Sequence, residues 1–286
     1  MIRPAYLTEA AVTQFIQSAL TEDIGEGDHS TLSTVPIHKE AKAKLFIKDD
    51  GMLAGVDLAN KIFHQIDNHL NLTVFKNDGD LISKGDIAFE VTGNARAILS
   101  GERLVLNCMQ RMSGIATKTN YLSKLIEGTS AKLMDTRKTT PNFRLMEKWA
   151  VAIGGGINHR FALYDMIMLK DNHIDLAGGI TAAVVNAVNY LKDKNKILLI
   201  EVETRNLKEV KEAVRTGAID VIMLDNMSLA EMSEAVKIIN GKCKTEASGG
   251  ITEATLRSVA ECGVDYISMG ALTHSVKSLD LSLKIF

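Results

Sequence analysis

From Thr8 onward, Val12, Phe15, Ile16, Ala19 and Leu20 recur at helical spacing, which predicts an amphipathic helix that stops near Asp23-Ile24-Gly25. A polar, glycine-punctuated stretch, EDIGEGDHST, comes next. Ala41 to Lys48 and Met52 to Val56 then read as strands around Asp49-Asp50-Gly51, and Leu72 to Phe75 and Ile87 to Val91 as strands beside glycine-bearing turns. Together these elements predict a small α+β unit. Between Ala95 and Glu127 there is no proline, and the leucines, methionines and alanines favour helix. Gly101 and Gly114 are expected to break or bend that helix, which connects two domains.

Beyond Ser130 the pattern changes to short apolar runs that end in polar residues and lead into helix-forming stretches. Six are visible: AKLMDT, DMIMLKDNH, ILLIEVET, DVIMLDN, KTEASGG and DYISMGA. The last four recur at about 22 residues, a length that suits one strand-helix unit. Repeated units of this kind imply parallel strands, and strands apolar on both faces must be covered on both sides. An open doubly wound sheet and a closed barrel both satisfy that demand. The barrel is favoured because Asp135, Lys170, Glu203, Asp225, Ser248 and Gly270 all fall at the carboxyl ends of predicted strands, where barrel active sites lie. About six units would make it smaller than the usual eight-stranded form, with room for a further strand near Gly154.

The totals narrow the class. With 286 residues and 46% hydrophobic content, the chain can bury a substantial core as two unequal domains. A formal net charge of -2 provides no general basic field for nucleic acid, so any anion site must be local. Cys108, Cys243 and Cys262 are far apart and odd in number, which argues against a zinc cage and a disulfide framework and favours a reducing cytoplasm. The amino terminus, MIRPAYLTEAAVTQ, has no apolar signal core, and no run approaches the roughly 20 apolar residues of a membrane span. No membrane partner is expected.

Candidate chemistry concentrates between Asp135 and His173. Arg137, Lys138, Arg144, Lys148, His159, Arg160, Lys170 and His173 surround a Gly154-Gly155-Gly156 run. If the strand ends converge, Arg137, Arg160 and Lys170 face one mouth and call for an anion, for which arginine forks suit carboxylates. The plainer reading is solvation or pairing with Asp135, Asp165, Asp171 or Asp175. The three glycines fit either a turn or close backbone approach to a ligand. Glu201 and Glu203 alternate, so both project to one strand face. Glu203 with Asp225 suits magnesium or ribose hydroxyls; a structural ion pair with Lys170 is the alternative. Ser248-Gly249-Gly250 and Met269-Gly270-Ala271 place small residues where strands lead into helices, as phosphate sites do, although turns use the same residues. His29 and His274 are read first as surface or capping residues, and Met166, Met168 and Met223 as core.

The run DTRKTTP, RLMEKWAV, GGGINHR and LYDMIMLKDNH, then IEVET, VIMLDN, EASGGI and SMGALTHS, resembles the carboxylating nicotinate-nucleotide pyrophosphorylases, also called quinolinate phosphoribosyltransferases. EDIGEGDHST and GERLVLN with SGIAT extend the resemblance over nearly the whole chain. It implies an α/β fold, an incomplete α/β barrel of about six parallel strands with an N-terminal α+β sandwich domain. The implied domains are residues 1-112, the barrel at 113-270, and a segment at 271-286 returning to the first domain. The implied activity transfers a phosphoribosyl group from phosphoribosyl pyrophosphate to quinolinate with loss of carbon dioxide. The implied assembly is a homodimer in which the partner's first domain covers the barrel mouth and lends Arg103.

Carried over by position, the resemblance assigns Arg137, His159, Arg160 and Lys170 to the quinolinate carboxylates, together with Arg103. Lys138 falls to phosphoribosyl pyrophosphate, and Glu203 and Asp225 to the ribose hydroxyls and Mg2+. Ser248, Gly249, Gly250, Gly270 and His274 fall to the 5-phosphate. Lys138, Lys170, Glu203 and Asp225 are the implied catalytic group. Three rival readings keep the phosphate loops: a paralogous phosphoribosyltransferase-like protein associated with molybdenum transport, against which Lys170 in LKDNH speaks, a silent binding protein for phosphorylated ligands, and a barrel aldolase or isomerase working through a lysine Schiff base.

Overall fold

The structure, a computed structural model, describes residues 4–286. In the first half it contains α1 (Glu9–Ile24), α2 (His29–Thr34), β1 (Glu40–Ile47), β2 (Gly51–Met52), α3 (Val56–Ile66), β3 (Asn71–Val74), β4 (Leu81–Ile82), β5 (Ile87–Asn94) and α4 (Ala95–Leu125). Then come β6 (Lys132–Met134), α5 (Arg144–Ile153), β7 (Ile167–Leu169), α6 (Asp171–Ala177), α7 (Ile180–Asp193), β8 (Ile200–Thr204) and α8 (Leu207–Thr216). The chain ends with β9 (Val221–Asp225), α9 (Leu229–Ile239), β10 (Lys244–Ser248), α10 (Glu253–Glu261), β11 (Tyr266–Ser268), α11 (Ala271–His274) and β12 (Leu281–Ile285). By compactness, residues 4–120, 138–155 and 271–286 form one unit, and 121–137 with 156–270 a second.

The first unit carries an antiparallel sheet in the order β12-β1-β5-β3. Strand β1 alternates Ala43, Leu45 and Ile47 inward with Lys42 and Lys44 outward, and Leu45 faces Phe89 on one side and Leu283 on the other. That alternation buries one face against helices and leaves the other to water. Helix α1 starts where the periodicity places it, with Thr8 Oγ1 accepting the Ala11 amide at 3.1 Å.

Two local expectations fail. The strand expected over Met52 to Val56 ends at Met52, and Val56 instead opens α3. Its first amides are capped from a distance: Val56 N and Asp57 N donate to Asp78 at 2.8 and 3.3 Å, while Gly55 before them takes φ +99°. A cap supplied 22 positions downstream leaves no local signature. Nor do Gly101 and Gly114 break the next helix, since α4 runs unbroken for 31 residues. They are sites of close approach. A Cβ at Gly101 would lie 2.8 Å from the Ile66 side chain, and one at Gly114 would overlap the Lys277 carbonyl.

The second unit is built on six parallel strands in the order β6-β11-β10-β9-β8-β7, with helices between successive strands. All six apolar runs of the sequence become these strands. Beyond β6, Met134 forms a parallel bridge with Ile157, which is the extra strand position anticipated near Gly154. The sheet is strongly curled. Laid flat, the Ile157 segment and β8 would stand five strand spacings apart, about 24 Å. Yet His159 Nε2, two residues after that bridge, lies 3.0 Å from Glu201 Oε2 on β8. Only a sheet wrapped toward closure brings those atoms together, which makes this an incomplete α/β barrel with its polar contacts inside. No single helix among the described residues is long and apolar enough to cross a membrane.

Candidate active site

Because the strands are parallel, their carboxyl ends share one rim. Arg137 follows β6, Lys170 follows β7, Glu203 lies next to last on β8, Asp225 and Ser248 end β9 and β10, and Gly270 follows β11. Arg160 follows the Ile157 bridge. The sequence places these residues at strand ends, and the parallel topology turns that into a common rim.

The segment carrying Arg160 is pinned from below. Asp135, fully buried just past β6, accepts Asn158 Nδ2 at 2.6 Å and the His159 amide at 2.9 Å. The Arg160 amide in turn donates to His159 Nδ1 at 2.7 Å. A backbone N–H can only donate, so Nδ1 is the accepting nitrogen and a neutral imidazole carries its proton on Nε2. That Nε2 faces Glu201 Oε2 at 3.0 Å and Glu246 Oε2 at 3.6 Å. Nδ1 is thus hydrogen-bonded, Nε2 lies in ion-pair range of two buried carboxylates, and His159 is 9% exposed. The same tautomer argues against a metal held by His159, Glu201 and Glu246, although their ligand atoms cluster within 4.8 Å. Coordination through Nε2 would require an imidazolate or the loss of the Arg160 amide bond.

Glu246 and the Glu201–His159 contact escaped the sequence reading. The available signal was parity: Glu246 lies two residues before Ser248 on β10, as Glu201 does before Glu203 on β8, so all four share inward faces. Burial pushes Glu246 up to about 8, helped by the charge of Glu201, and pushes Glu201 up to about 7 against the pull of Arg160. Both values exceed the unfolded glutamate value of about 4.3. The stability they contribute is complete below that value and is lost as pH rises through the folded values. Glu246→Gln should therefore flatten the decline in unfolding free energy between about pH 5 and pH 8. Urea titrations at several pH values measure this, and a slope identical to that of the parent chain would refute it.

At the rim, Arg160 is half-buried, and its Nη1 donates to the Met166 carbonyl at 3.1 Å. Its Nε is buried with no hydrogen-bond partner among the described residues. Burial, then the neighbouring charge of Arg137, depresses its proton affinity, while Glu201 and Asp165 oppose that shift. Two guanidinium groups held together out of water are an arrangement that an anion relieves. Lys170 stands exposed at the N-cap of α6, close enough to Glu201 and Glu203 to lower the proton affinity of both. Lys170 thus makes no ion pair at contact distance among the described residues, and its charge acts on these carboxylates through space.

Burial first, and then the charge of Asp225, raises the proton affinity of Glu203, while Lys170 and the Asp171 amide lower it. Next to this pair, Asn226 takes φ +53° and donates Nδ2 to Asp225 Oδ2 at 2.8 Å and its amide to the Ser248 carbonyl at 2.9 Å. The following turn wraps over Asn226 so closely that a Cβ at Gly249, where φ is +93°, would collide with its side chain. Glycine is thus required at that turn by both space and dihedral.

Other candidates belong to the first unit. Arg103 is exposed on α4, Lys138 is exposed three residues after Asp135, and His274 is exposed at the end of α11 with Nδ1 2.6 Å from Ser275 Oγ. Gly154 resolves toward packing rather than ligand approach, since a Cβ there would lie 2.6 Å from the Ala116 carbonyl, and Gly155 turns the chain at φ +90°. His29 is a surface residue 3.7 Å from Glu26.

Two family models match successive stretches of the chain. The quinolinate phosphoribosyl transferase N-terminal domain matches residues 28–113 and its C-terminal domain residues 115–284. The chain belongs to the quinolinate phosphoribosyltransferase family. It is 47% identical over 285 residues to the chloroplastic nicotinate-nucleotide pyrophosphorylase (carboxylating) of Arabidopsis thaliana, covering 94% of this chain and 81% of that one. The probable nicotinate-nucleotide pyrophosphorylase (carboxylating) of Bacillus subtilis (strain 168) is 44% identical over 264 residues, covering 92% and 90%. Among solved structures, NadC from Streptococcus pyogenes superposes with a TM-score of 0.92 at 40% identity, covering 98% of each chain. The family's parallel sheet and N-terminal sheet are therefore those of this chain.

Proposed function

We infer that this member of the family transfers the phosphoribosyl group of phosphoribosyl pyrophosphate to quinolinate with decarboxylation, yielding nicotinate mononucleotide, pyrophosphate and carbon dioxide for de novo NAD synthesis. The observation that carries this reading is the half-buried Arg160 beside Arg137, with Lys170 on the same rim. A small, rigid dianion satisfies two guanidinium forks and an ammonium at once. His159 acts on that ligand by orienting the backbone of Arg160, its Nδ1 accepting the Arg160 amide while its Nε2 faces Glu201.

In this reading the pyridine nitrogen attacks the anomeric carbon of the ribose as the carbon–oxygen bond to pyrophosphate breaks. The carbon–carbon bond to the carboxylate beside the nitrogen then breaks, and the pair left on the ring is stabilised by the adjacent positive nitrogen before it takes up a proton. Arg137, Arg160 and Lys170 hold the dicarboxylate in attack geometry, which supplies much of the rate gain by orientation. Ser248, Gly249, Gly250, Gly270 and His274 take the 5-phosphate through turn amides and a ring nitrogen. Lys138 meets the pyrophosphate side of the donor.

Glu203 and Asp225 accept the ribose hydroxyls and would hold Mg2+. The residues fit that ion, since burial and the charge of Asp225 make Glu203 costly to ionise and a divalent cation offsets that cost. Bound there, magnesium would neutralise charge on the departing pyrophosphate. Two copies pair in this reading, so that Arg103 on α4 of one completes the quinolinate site of the other.

Incubation with quinolinate, phosphoribosyl pyrophosphate and Mg2+ should yield nicotinate mononucleotide and carbon dioxide in equal amounts, followed by chromatography and carbon dioxide release. Nicotinate as sole acceptor should give no product. Turnover of nicotinate equal to that of quinolinate would defeat the assignment.

A further inference from the structure

Glu147 and Lys148 lie in the middle of α5, and both are 0% exposed. A buried carboxylate is costly unless donors saturate its oxygens. At Glu147 they do. Arg111 Nε and Nη2 donate to Oε1 at 3.1 and 2.9 Å, Thr140 Oγ1 donates to Oε1 at 2.9 Å, and the Thr140 amide donates to Oε2 at 3.0 Å. Arg111, on α4, also donates Nη1 to the Val276 carbonyl at 3.1 Å and Nη2 to the Thr273 carbonyl. Thr273 Oγ1 then donates to the Lys138 carbonyl at 2.7 Å.

One guanidinium thus ties together a helix carboxylate, the loop after Lys138 and the segment around α11. All of these residues lie within the first unit. Through the Thr140 amide and hydroxyl, the Lys138 carbonyl and the Thr273 and Val276 carbonyls, these tertiary contacts bear on the shape of the 138–143 segment and of α11 with the residues after it. Lys138 and His274 are carried on those two segments, and their exposed side chains depend on that shape for their direction.

We propose that Arg111 and Glu147 are positioning residues for the phosphoribosyl donor: a buried brace that presets Lys138 and His274 for phosphoribosyl pyrophosphate and leaves the dicarboxylate site untouched. The proposal rests on the function inferred above. Planar geometry is central to it. Arg111 directs donors along fixed axes to Glu147, Thr273 and Val276, and the ammonium of a lysine cannot reproduce that fork.

The test uses Arg111→Lys and Glu147→Gln, both mild enough to keep the fold, alongside Arg111→Ala assayed with added guanidinium ion. Arg111→Lys should raise KM for phosphoribosyl pyrophosphate at least about tenfold while kcat falls less than about threefold, as for lost binding of one substrate. Quinolinate affinity, measured alone by calorimetry, should stay within about twofold, as expected for a site that shares no contacts. Guanidinium should restore part of the Arg111→Ala loss. If both affinities fall together with the melting temperature and guanidinium restores nothing, the pair is fold support only and the proposal is overturned. Parent protein that fails to bind phosphoribosyl pyrophosphate would overturn the inferred function and the brace with it. Variants that bind the donor as well as the parent would overturn the brace alone.

Discussion

Arg160→Ala weakens quinolinate binding by about 10² to 10³-fold, roughly 3 to 4 kcal/mol, which is the scale of losing a desolvated charge-assisted contact. The size follows from the position of the side chain. Its Nε is buried with no partner among the described residues, and Arg137 already depresses its proton affinity, so the chain leaves this guanidinium under-compensated. A dianion supplies the missing charge. Removing Arg160 also removes a repulsion, so the melting temperature should not fall with the affinity. Calorimetric titration of quinolinate in parallel with thermal melts separates the two effects. Parent-like affinity would sink the dicarboxylate site, and a joint collapse of affinity and stability would make Arg160 a structural residue.

Glu203→Gln is the second large effect. It should lower kcat by about a hundredfold or more, the order observed when a group that stabilises developing charge is removed, and should shift the magnesium dependence to higher concentration. Stability should move the other way. The charge on Glu203 is disfavoured by burial and by Asp225 and Asp171, while the Asp171 amide that donates to it can donate equally well to a glutamine oxygen. The folded chain therefore gains by neutralising it, the usual trade between a strained site and a relaxed fold. A variant with full turnover, or one that melts well below the parent, would contradict this account.

Much of this chain could be read from local pattern. The six apolar runs became six parallel strands because a strand buried on both faces announces itself by continuous apolar residues bounded by polar ends. Residues at the ends of those runs fell on one rim because parallel strands share their direction. Local reading failed where the partner was distant. Val56 was read as strand because the cap on α3 comes from Asp78, and Gly101 and Gly114 were read as breaks because the Ile66 and Lys277 contacts that require them are not neighbours in sequence. Local pattern counts Lys148 among the cations between Asp135 and His173 and gives Glu147 no part, yet both are fully buried.

By itself, then, the sequence determined the kind and order of the elements, the identity of the rim residues and the resemblance to one family. These depend on periodicity and on contiguous motifs, both carried by neighbouring residues. Only the tertiary structure decided that the sheet curls until His159 meets Glu201 and Glu246, and that Arg111 braces the loops carrying Lys138 and His274. Such contacts join residues tens to more than a hundred positions apart. Their formation depends on packing and on the desolvation of whole surfaces, for which no local pattern is a record.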